Sequence, residues 1–178
     1  MKNFKSGFVS IIGKTNVGKS TLINNLVGEK VAIITPKTQT TRSEIRAIVN
    51  RESSQIIFID TPGIHKPKSK LGEIMCETAF GTISNVDLIL YLVEATARTI
   101  DKENKTILEK LKKVNKKTIL VINKIDLIKK ERLLEIIDMY SSEYNFEDII
   151  PISAKSNKDV TELLTEIEKH MAIRTSIL

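Results

Sequence analysis

Apolar runs alternate along this chain with segments whose apolar residues recur every three to four positions. Such runs are typical of buried β-strands, and the recurrence is typical of helices with one buried face. Residues 86–93 and 118–122 are apolar almost throughout, as in strands that helices cover on both faces. The pattern predicts strands at residues 8–12, 44–50, 54–60, 86–93, 117–122 and 148–152. It predicts helices at residues 19–27, 71–83, 102–113, 130–141 and 159–170.

The alternation of strands and helices predicts a three-layer α/β/α sandwich around a mixed, mostly parallel six-stranded sheet. Only a few polar residues separate the strands predicted at 44–50 and 54–60, so we expect a hairpin and one antiparallel edge strand. Ligands bind to such sheets at the carboxyl ends of the strands. The length of 178 residues suits one core, and we expect residues 1–178 to form a single domain.

A glycine-containing loop between the first predicted strand and the first predicted helix carries the clearest chemical signal. Residues 13–20 read Gly-Lys-Thr-Asn-Val-Gly-Lys-Ser, a complete G-x-x-x-x-G-K-[ST] motif. The glycines let successive backbone N–H groups turn toward phosphate oxygens, while Lys19 bridges the outer phosphates and Ser20 binds Mg²⁺. An ordinary strand–helix turn does not require this complete pattern. The motif therefore predicts phosphate binding and a P-loop NTPase fold.

The segment Asn123-Lys124-Ile125-Asp126 follows a predicted strand and indicates which base is bound. A carboxylate at Asp126 can accept hydrogen bonds from the N1–H and the exocyclic amine of guanine, whereas adenine would leave it unpaired. Asn123 can tie this segment to the phosphate loop, and the Lys124 stem can stack on the base. An ordinary turn after a strand uses the same residue types. The order behind a phosphate loop favours the guanine site.

Ser153-Ala154-Lys155 follows the last predicted strand and can place a backbone N–H beside the carbonyl oxygen of guanine. A helix cap by Ser153 or Ser156 explains the same residues equally well. The triplet supports the guanine site because of its position, and it would not indicate such a site alone.

Two further segments indicate a Mg²⁺-linked switch. Asp60-Thr61-Pro62-Gly63 ends the third predicted strand, where the acid can bind Mg²⁺ through water and the Gly63 N–H can reach the γ-phosphate. In Gln39-Thr40-Thr41-Arg42, one of the two threonines, with Thr41 favoured over Thr40, offers a hydroxyl that can bind Mg²⁺ only when the γ-phosphate is present. Taken alone, both segments are common in turns and strand starts. Together with the phosphate loop, they predict a nucleotide-dependent switch.

Composition narrows the class of protein less than the motifs do. The net charge of +6 and the pI near 9.3 fit a nucleic-acid or anionic-membrane partner, and they equally fit lysines on solvated helix faces. No apolar run reaches the length of a membrane span, and the N-terminus lacks a signal-peptide pattern. The single cysteine, Cys76, excludes an internal disulfide. We expect a monomeric cytoplasmic protein that can associate peripherally with the inner face of the membrane.

Four segments, taken together, carry a family resemblance. They are Asn16-Val17-Gly18-Lys19-Ser20-Thr21, Gln39-Thr40-Thr41-Arg42, Asp60-Thr61-Pro62-Gly63-Ile64-His65-Lys66-Pro67 and Ile149-Ile150-Pro151-Ile152-Ser153-Ala154. With them the chain resembles the Era family, bacterial GTPases that bind small-subunit ribosomal RNA during 30S assembly. The resemblance implies GTP and GDP as ligands, Mg²⁺ as cofactor, GTP hydrolysis, and the 30S subunit with its 16S rRNA as partners.

The motifs and the resemblance together name the expected site residues. Nucleotide contacts are predicted for Gly13, Lys14, Thr15, Asn16, Val17, Gly18, Lys19, Ser20, Thr21, Asp60, Thr61, Pro62, Gly63, Ile64, Asn123, Lys124, Ile125, Asp126, Ser153, Ala154 and Lys155. Mg²⁺ is predicted to bind Ser20, Thr41 and Asp60. Catalytic roles are predicted for Lys19, Thr41, Gly63 and Asn16.

The chain departs from the family in three places. The family's loop reads Gly-Arg-Pro-Asn, and in this chain Lys14 and Thr15 take its second and third positions. The loop therefore lacks the rigidity that a proline gives. No Gly-x-x-Gly loop of the family's C-terminal KH domain occurs before Leu178, so we expect that domain to be absent and do not assign RNA binding to these residues. The ending from Met171 onward also differs from the usual junction into that domain.

The residue after Gly63 bears on how water is positioned for hydrolysis. Many GTPases carry a glutamine there, but Ile64 cannot hydrogen-bond to water, and His65 is interpreted as a solvated loop residue. We therefore expect slow turnover, with backbone groups, Mg²⁺ and K⁺ positioning the reactants. In related GTPases, an asparagine at the position of Asn16 coordinates K⁺ beside the phosphates. The alternative role for Asn16 is a hydrogen bond that stabilises the loop.

Three functions remain open at the level of sequence. The first is a GTP-hydrolysing switch whose loops order around the γ-phosphate. The second is a nucleotide-dependent binding module in which hydrolysis is incidental, motivated by the basic residues 65–70. The third is an ATP-dependent kinase or ATPase with the same phosphate loop. Competition between GTP and ATP for the site separates the third from the others.

Overall fold

A computed structural model describes residues 3–27, 31–32, 44–60, 86–175 and 177. Within these residues, one sheet has the strand order β2-β3-β4-β1-β5-β6-β7. The strands are β1 (Lys5–Ile12), β2 (Val31–Ala32), β3 (Glu44–Arg51), β4 (Ser54–Asp60), β5 (Leu88–Glu94), β6 (Thr118–Asn123) and β7 (Asp148–Pro151). The helices are α1 (Lys19–Val27), α2 (Lys102–Val114), α3 (Lys130–Ser141) and α4 (Asn157–Lys169).

The predicted fold class is confirmed. The six predicted strands are all present, and β3 pairs with β4 in an antiparallel hairpin while the pairs formed by β1, β4, β5, β6 and β7 are parallel. The sheet also has a seventh strand, β2, which pairs antiparallel with β3. It was not predicted because two residues show no alternation of apolar and polar positions. The helix predicted at 71–83 lies outside the described residues.

Alternate strand residues face two separate hydrophobic cores, one on each side of the sheet. On one side, strand residues such as Leu90 pack with Leu22 of α1 and Leu164 of α4. On the other side, strand residues such as Tyr91 pack with α2 and α3. This double burial explains why the central strands are apolar at nearly every position. Among the described residues, no helix combines the length and the apolar content needed to cross a bilayer.

The segment after α4 packs against the amino-terminal end of β1. Ile173 bridges to Lys5, and Arg174 N–H donates to the carbonyl oxygen of Phe4 at 2.9 Å. The Arg174 guanidinium also pairs with Asp87 at 2.9 Å. These contacts cover the amino end of β1. Ligand sites of such sheets lie at the opposite, carboxyl edge.

Candidate functional site

The two glycines of the phosphate loop are both required by close contacts. A Cβ at Gly13 would lie 2.6 Å from the carbonyl oxygen of Leu92 on β5. Gly18 has a φ of 102°, and a Cβ there would lie 2.1 Å from Nδ2 of Asn123. Side-chain-bearing residues rarely adopt that φ and could not fit that space. The loop therefore comes closer to β5 and β6 than any other residue type would allow.

Asn123, at the end of β6, joins the phosphate loop to a second loop. Its side chain is buried, with Nδ2 donating to the carbonyl oxygen of Val17 at 2.8 Å. Its Oδ1 accepts from the Ala154 N–H at 2.8 Å. The predicted tie between Asn123 and the phosphate loop is confirmed, and the bond to Ala154 is an addition from the structure. One buried amide thus sets the spacing of three segments.

Lys124 reaches back to the phosphate loop through its ammonium group. Its Nζ donates to the carbonyl oxygen of Asn16 at 2.8 Å and pairs with Glu94 at 2.9 Å. Both Lys124 and Asn16 have a φ of 64°, a left-handed conformation that asparagine adopts more readily than most residues. Glu94 at the end of β5 was missed from the sequence because no local motif contains it. Stacking of the Lys124 stem on a base stays a prediction.

Asp126 and its neighbours form a cleft of about 240 Å³ at the carboxyl edge of the sheet. Asp126 is exposed on a short 3₁₀ turn, Ile125–Leu127, which follows β6 directly. Leu127 is 63% exposed and offers an apolar wall that no sequence motif predicted. The lining residues come from the phosphate loop with the start of α1, from the segment after β6 and from the loop after β7. They are Gly18, Thr21, Asn123, Lys124, Asp126, Leu127, Ser153, Ala154 and Lys155. The structure therefore brings the predicted base segment and the phosphate loop into one site.

The loop after β7 has most of its backbone N–H groups committed to protein acceptors. Ser153 N–H donates to Asp159 at 2.7 Å, and Ala154 N–H donates to Asn123. Within the described residues, Lys155 N–H is the member of the triplet with no protein acceptor. The helix cap predicted as an alternative is provided by Ser156, whose hydroxyl accepts from Asp159 N–H. The triplet is thus a rigid loop next to a capped helix.

Lys14 points to helix α2. Its Nζ forms a hydrogen-bonded ion pair with Asp101, the N-cap residue of that helix. The hydrogen bond with Asp101 raises the pKa of Lys14 above its ordinary value. Burial acts to raise the pKa of Asp101, but the hydrogen bonds from Lys14 and from Asn104 N–H outweigh it and lower the pKa overall. Both groups are therefore charged at neutral pH.

Some of the remaining predicted site residues lie among the residues that the structure describes, and others lie outside them. Lys19 and Ser20 begin helix α1 directly behind the glycine loop, and Thr15 and Thr21 are exposed beside it. Asp60 ends β4 opposite Ile11 in the sheet register, which places its backbone next to the phosphate loop. The Asp60 side chain and five predicted positions lie outside the described residues: Thr41, Thr61, Pro62, Gly63 and Ile64.

Comparison with known proteins gives one family. The family model described as "50S ribosome-binding GTPase" matches residues 8–124. The chain is 54% identical over 164 residues to the GTPase Era of Caldanaerobacter subterraneus subsp. tengcongensis. That alignment covers 92% of this chain and 55% of the relative, so the chain spans about half the length of the curated relative.

Two solved structures agree with the sequence relatives. A variant of Aquifex aeolicus Era bound to GDP·AlF4⁻ superposes with a TM-score of 0.80 at 39% identity. A structure of Era in complex with MgGDPNP and nucleotides 1506–1542 of 16S ribosomal RNA superposes with the same TM-score, 0.80, at 40% identity. Each match covers 98% of this chain and 60% of the other. The neighbours therefore share the fold of this chain.

Proposed function

Because this chain belongs to the family of 50S ribosome-binding GTPases and is similar to Era along nearly its whole length, we propose that it binds guanine nucleotides and hydrolyses GTP to GDP and phosphate. The observation that carries the proposal is Asn123, which is bonded to both the phosphate loop and the loop of Ala154. A single buried amide thereby holds a phosphate cradle and a base cleft at a fixed spacing. That spacing is what a nucleotide, with its base and phosphates at opposite ends, requires.

The phosphates are assigned to the loop of residues 13–20. Backbone N–H groups and the N-terminus of α1 supply partial positive charge, and Lys19 adds a full charge at the outer phosphates. Ser20, with Asp60 and Thr41, offers hydroxyl and carboxylate oxygens, the donors that Mg²⁺ prefers. When bound, Mg²⁺ would neutralise charge on the phosphate oxygens. The chain's own groups hold the phosphates in place for attack by water.

The base is assigned to the cleft between the loops of Asp126 and Lys155. The Asp126 carboxylate would accept from guanine N1–H and the exocyclic amine, and the Lys155 N–H would donate to the carbonyl oxygen. The expected test is displacement of fluorescent GDP, in which GTP competes and ATP does not. Replacing Asp126→Asn should shift preference from guanine to xanthine nucleotides, because an amide can donate to the second carbonyl of xanthine. Unchanged specificity, or equal competition by ATP, would contradict the assignment.

Hydrolysis is proposed to be slow, well below the roughly 1–100 s⁻¹ of kinases. Ile64 cannot orient water, so backbone groups near Gly63 and Thr41 are left to do so. We propose that K⁺ beside Asn16 supplies positive charge at the phosphates. The alternative is that Asn16 is selected for its left-handed backbone conformation alone. Turnover measured in K⁺ and in Na⁺ buffers separates the two, since equal rates would leave only the backbone role.

The proposed cellular role is in 30S assembly through 16S rRNA. Its support is the Era structure determined with 16S rRNA nucleotides, together with the net charge of +6. A cytoplasmic monomer with peripheral membrane association is part of the same proposal. The competing candidate is a nucleotide-dependent binding module whose hydrolysis is incidental. A variant that binds GTP but does not hydrolyse it decides between them: if it still releases RNA normally, hydrolysis is incidental.

A further inference from the structure

The first half of the phosphate loop is held by a side chain that the nucleotide motif does not require. Lys14 occupies a position at which the motif accepts any residue, yet its Nζ is paired with Asp101 on α2. The pair joins residues 87 positions apart in the chain. Its side chains are 27% and 43% exposed, so it sits at the rim of the site rather than in the core.

Asp101 is a fixed partner and not a mobile surface group. Its Oδ1 accepts from the Asn104 N–H at 2.9 Å, which caps helix α2 and leaves Oδ2 for Lys14. Asn104 is itself buried, and its Oδ1 accepts from the Tyr91 hydroxyl of β5 at 2.6 Å. The carboxylate that Lys14 contacts is therefore held in place by the helix start and by the sheet.

The other ties of the loop all act on its second half. Asn123 holds the carbonyl of Val17, and Lys124 holds the carbonyl of Asn16. Residues 14 and 15 have no such backbone tie among the described contacts, and residues 13–18 include no proline to restrict φ. The Lys14–Asp101 pair is thus the contact that restrains this part of the loop.

We propose that the Lys14–Asp101 ion pair is a positioning device that anchors the first half of the phosphate loop to α2 and thereby slows nucleotide release. The inference rests on the proposed function, since it concerns the same site. A loop held in its bound shape loses less conformational entropy on binding, so the bound state is favoured. Lys14 acts here through Asp101 and the loop backbone, without contacting the phosphates.

The test measures the dissociation rate of fluorescent GDP from the full chain and from the variants Lys14→Met and Asp101→Asn. Asparagine caps a helix as well as aspartate does, so Asp101→Asn removes the charge while keeping α2 intact. We expect each variant to release GDP about two- to fivefold faster, the range for a partly exposed pair. The double variant should be no faster than either single one. Lys14→Arg should restore the original rate.

A matched control is Lys169→Met, which removes one charge from a lysine paired with Glu166 on α4. It should leave the rate unchanged. If Lys14→Met accelerates release and Asp101→Asn does not, Lys14 contacts the phosphates directly and the proposal is wrong. The proposal is also wrong if the effects of Lys14→Met and Asp101→Asn on the GDP dissociation rate add in the double variant. A fall in the unfolding midpoint of the nucleotide-free variants large enough to explain the faster release would contradict it as well. Failure of the unmodified chain to bind GDP would instead refute the proposed function.

Discussion

At the scale of single residues, Asn123 shows how one side chain can organise a site. The sequence placed it after a strand, and its amide was expected to reach the phosphate loop. The structure adds a second bond, to Ala154, and a third constraint, because its Nδ2 occupies the space beside Gly18. A buried amide with both ends satisfied resists displacement, since each broken bond would leave a buried polar group unpaired.

Gly18→Ala is the residue-scale prediction. The new Cβ would lie 2.1 Å from Asn123 Nδ2, at a φ of 102° that alanine avoids. We expect GDP affinity to fall by about 5- to 150-fold, because strain of roughly 1–3 kcal/mol would be released by moving the loop. Isothermal titration with GDP measures the loss. Thr165→Ala, an exposed change on α4 outside the predicted site, is the control and should keep the original affinity.

At the scale of elements, the start of α4 determines where the loop of the last strand lies. Ser156 caps the helix by accepting from Asp159 N–H at 3.3 Å, and Asp159 in turn accepts from Ser153 N–H at 2.7 Å. The two bonds run in opposite directions between helix and loop. The helix start and the base cleft are therefore coupled, which a cap read from sequence alone does not indicate.

Ser156→Ala tests the cap. Loss of the hydroxyl should lower the free energy of unfolding by about 1 kcal/mol, as for other N-cap serines. Urea unfolding of the nucleotide-free chain measures the change. The exposed substitution Thr165→Ala in the interior of α4 serves as control, and a loss as large in that variant would contradict the assignment to the cap.

The start of α2 should show a pH dependence. The pKa of Asp101 is lowered in the folded chain, so its contribution is present above the ordinary carboxyl value and disappears as pH falls through the lowered one. The pKa of Lys14 is raised, so its contribution is lost only as pH rises through that raised value. We expect Asp101→Asn to reduce stability by less than about 1 kcal/mol at pH 7. The difference should vanish well below pH 4, as measured by urea unfolding across that range; a constant difference would contradict it.

At the scale of the whole molecule, the two edges of the sheet differ in chemistry. The carboxyl edge carries the proposed nucleotide site. Toward the amino edge, a cleft of about 430 Å³ opens beside the start of β6. Three lysines line it, and in the described part of the chain none of them forms an ion pair, whereas Lys169 pairs with Glu166. The lining residues are Lys112, Asn115, Lys116, Lys117, Thr118, Glu143, Tyr144, Asn145 and Glu147.

If the chain contacts RNA as proposed, these lysines should contribute to the salt dependence. Replacing Lys112, Lys116 and Lys117 by Gln should reduce the slope of log K against log[salt] by about 2, near 0.7 for each single-strand phosphate contact. Fluorescence anisotropy with a single-stranded RNA measures it. The control replaces Lys129, Lys158 and Lys169, with the same change in net charge. Equal effects in both variants would show that the net charge of the protein, and not this cleft, determines the salt dependence of RNA binding.

Within the described residues, the sequence by itself determined the four helices, the six main strands, and the loops of residues 13–20, 123–126 and 153–155. These depend on hydrophobic period and on turn chemistry within a few residues, so they can be recognised locally. The same holds for the role of Gly18. The tie from Asn123 to the phosphate loop joins residues 106 positions apart, and it was expected from the two motifs and not from a local pattern.

Only the tertiary structure decided the contacts of Lys14 with Asp101, of Lys124 with Glu94, and of the loop after β7. Their partners are 87, 30 and 31 positions apart in sequence, the last pair being Ala154 and Asn123. Such pairs arise because parallel strands in register bring distant strand ends to one edge of the sheet. No local pattern specifies which ends become neighbours there. Strand order and register, which depend on the packing of the two cores, determine which strand ends lie next to each other.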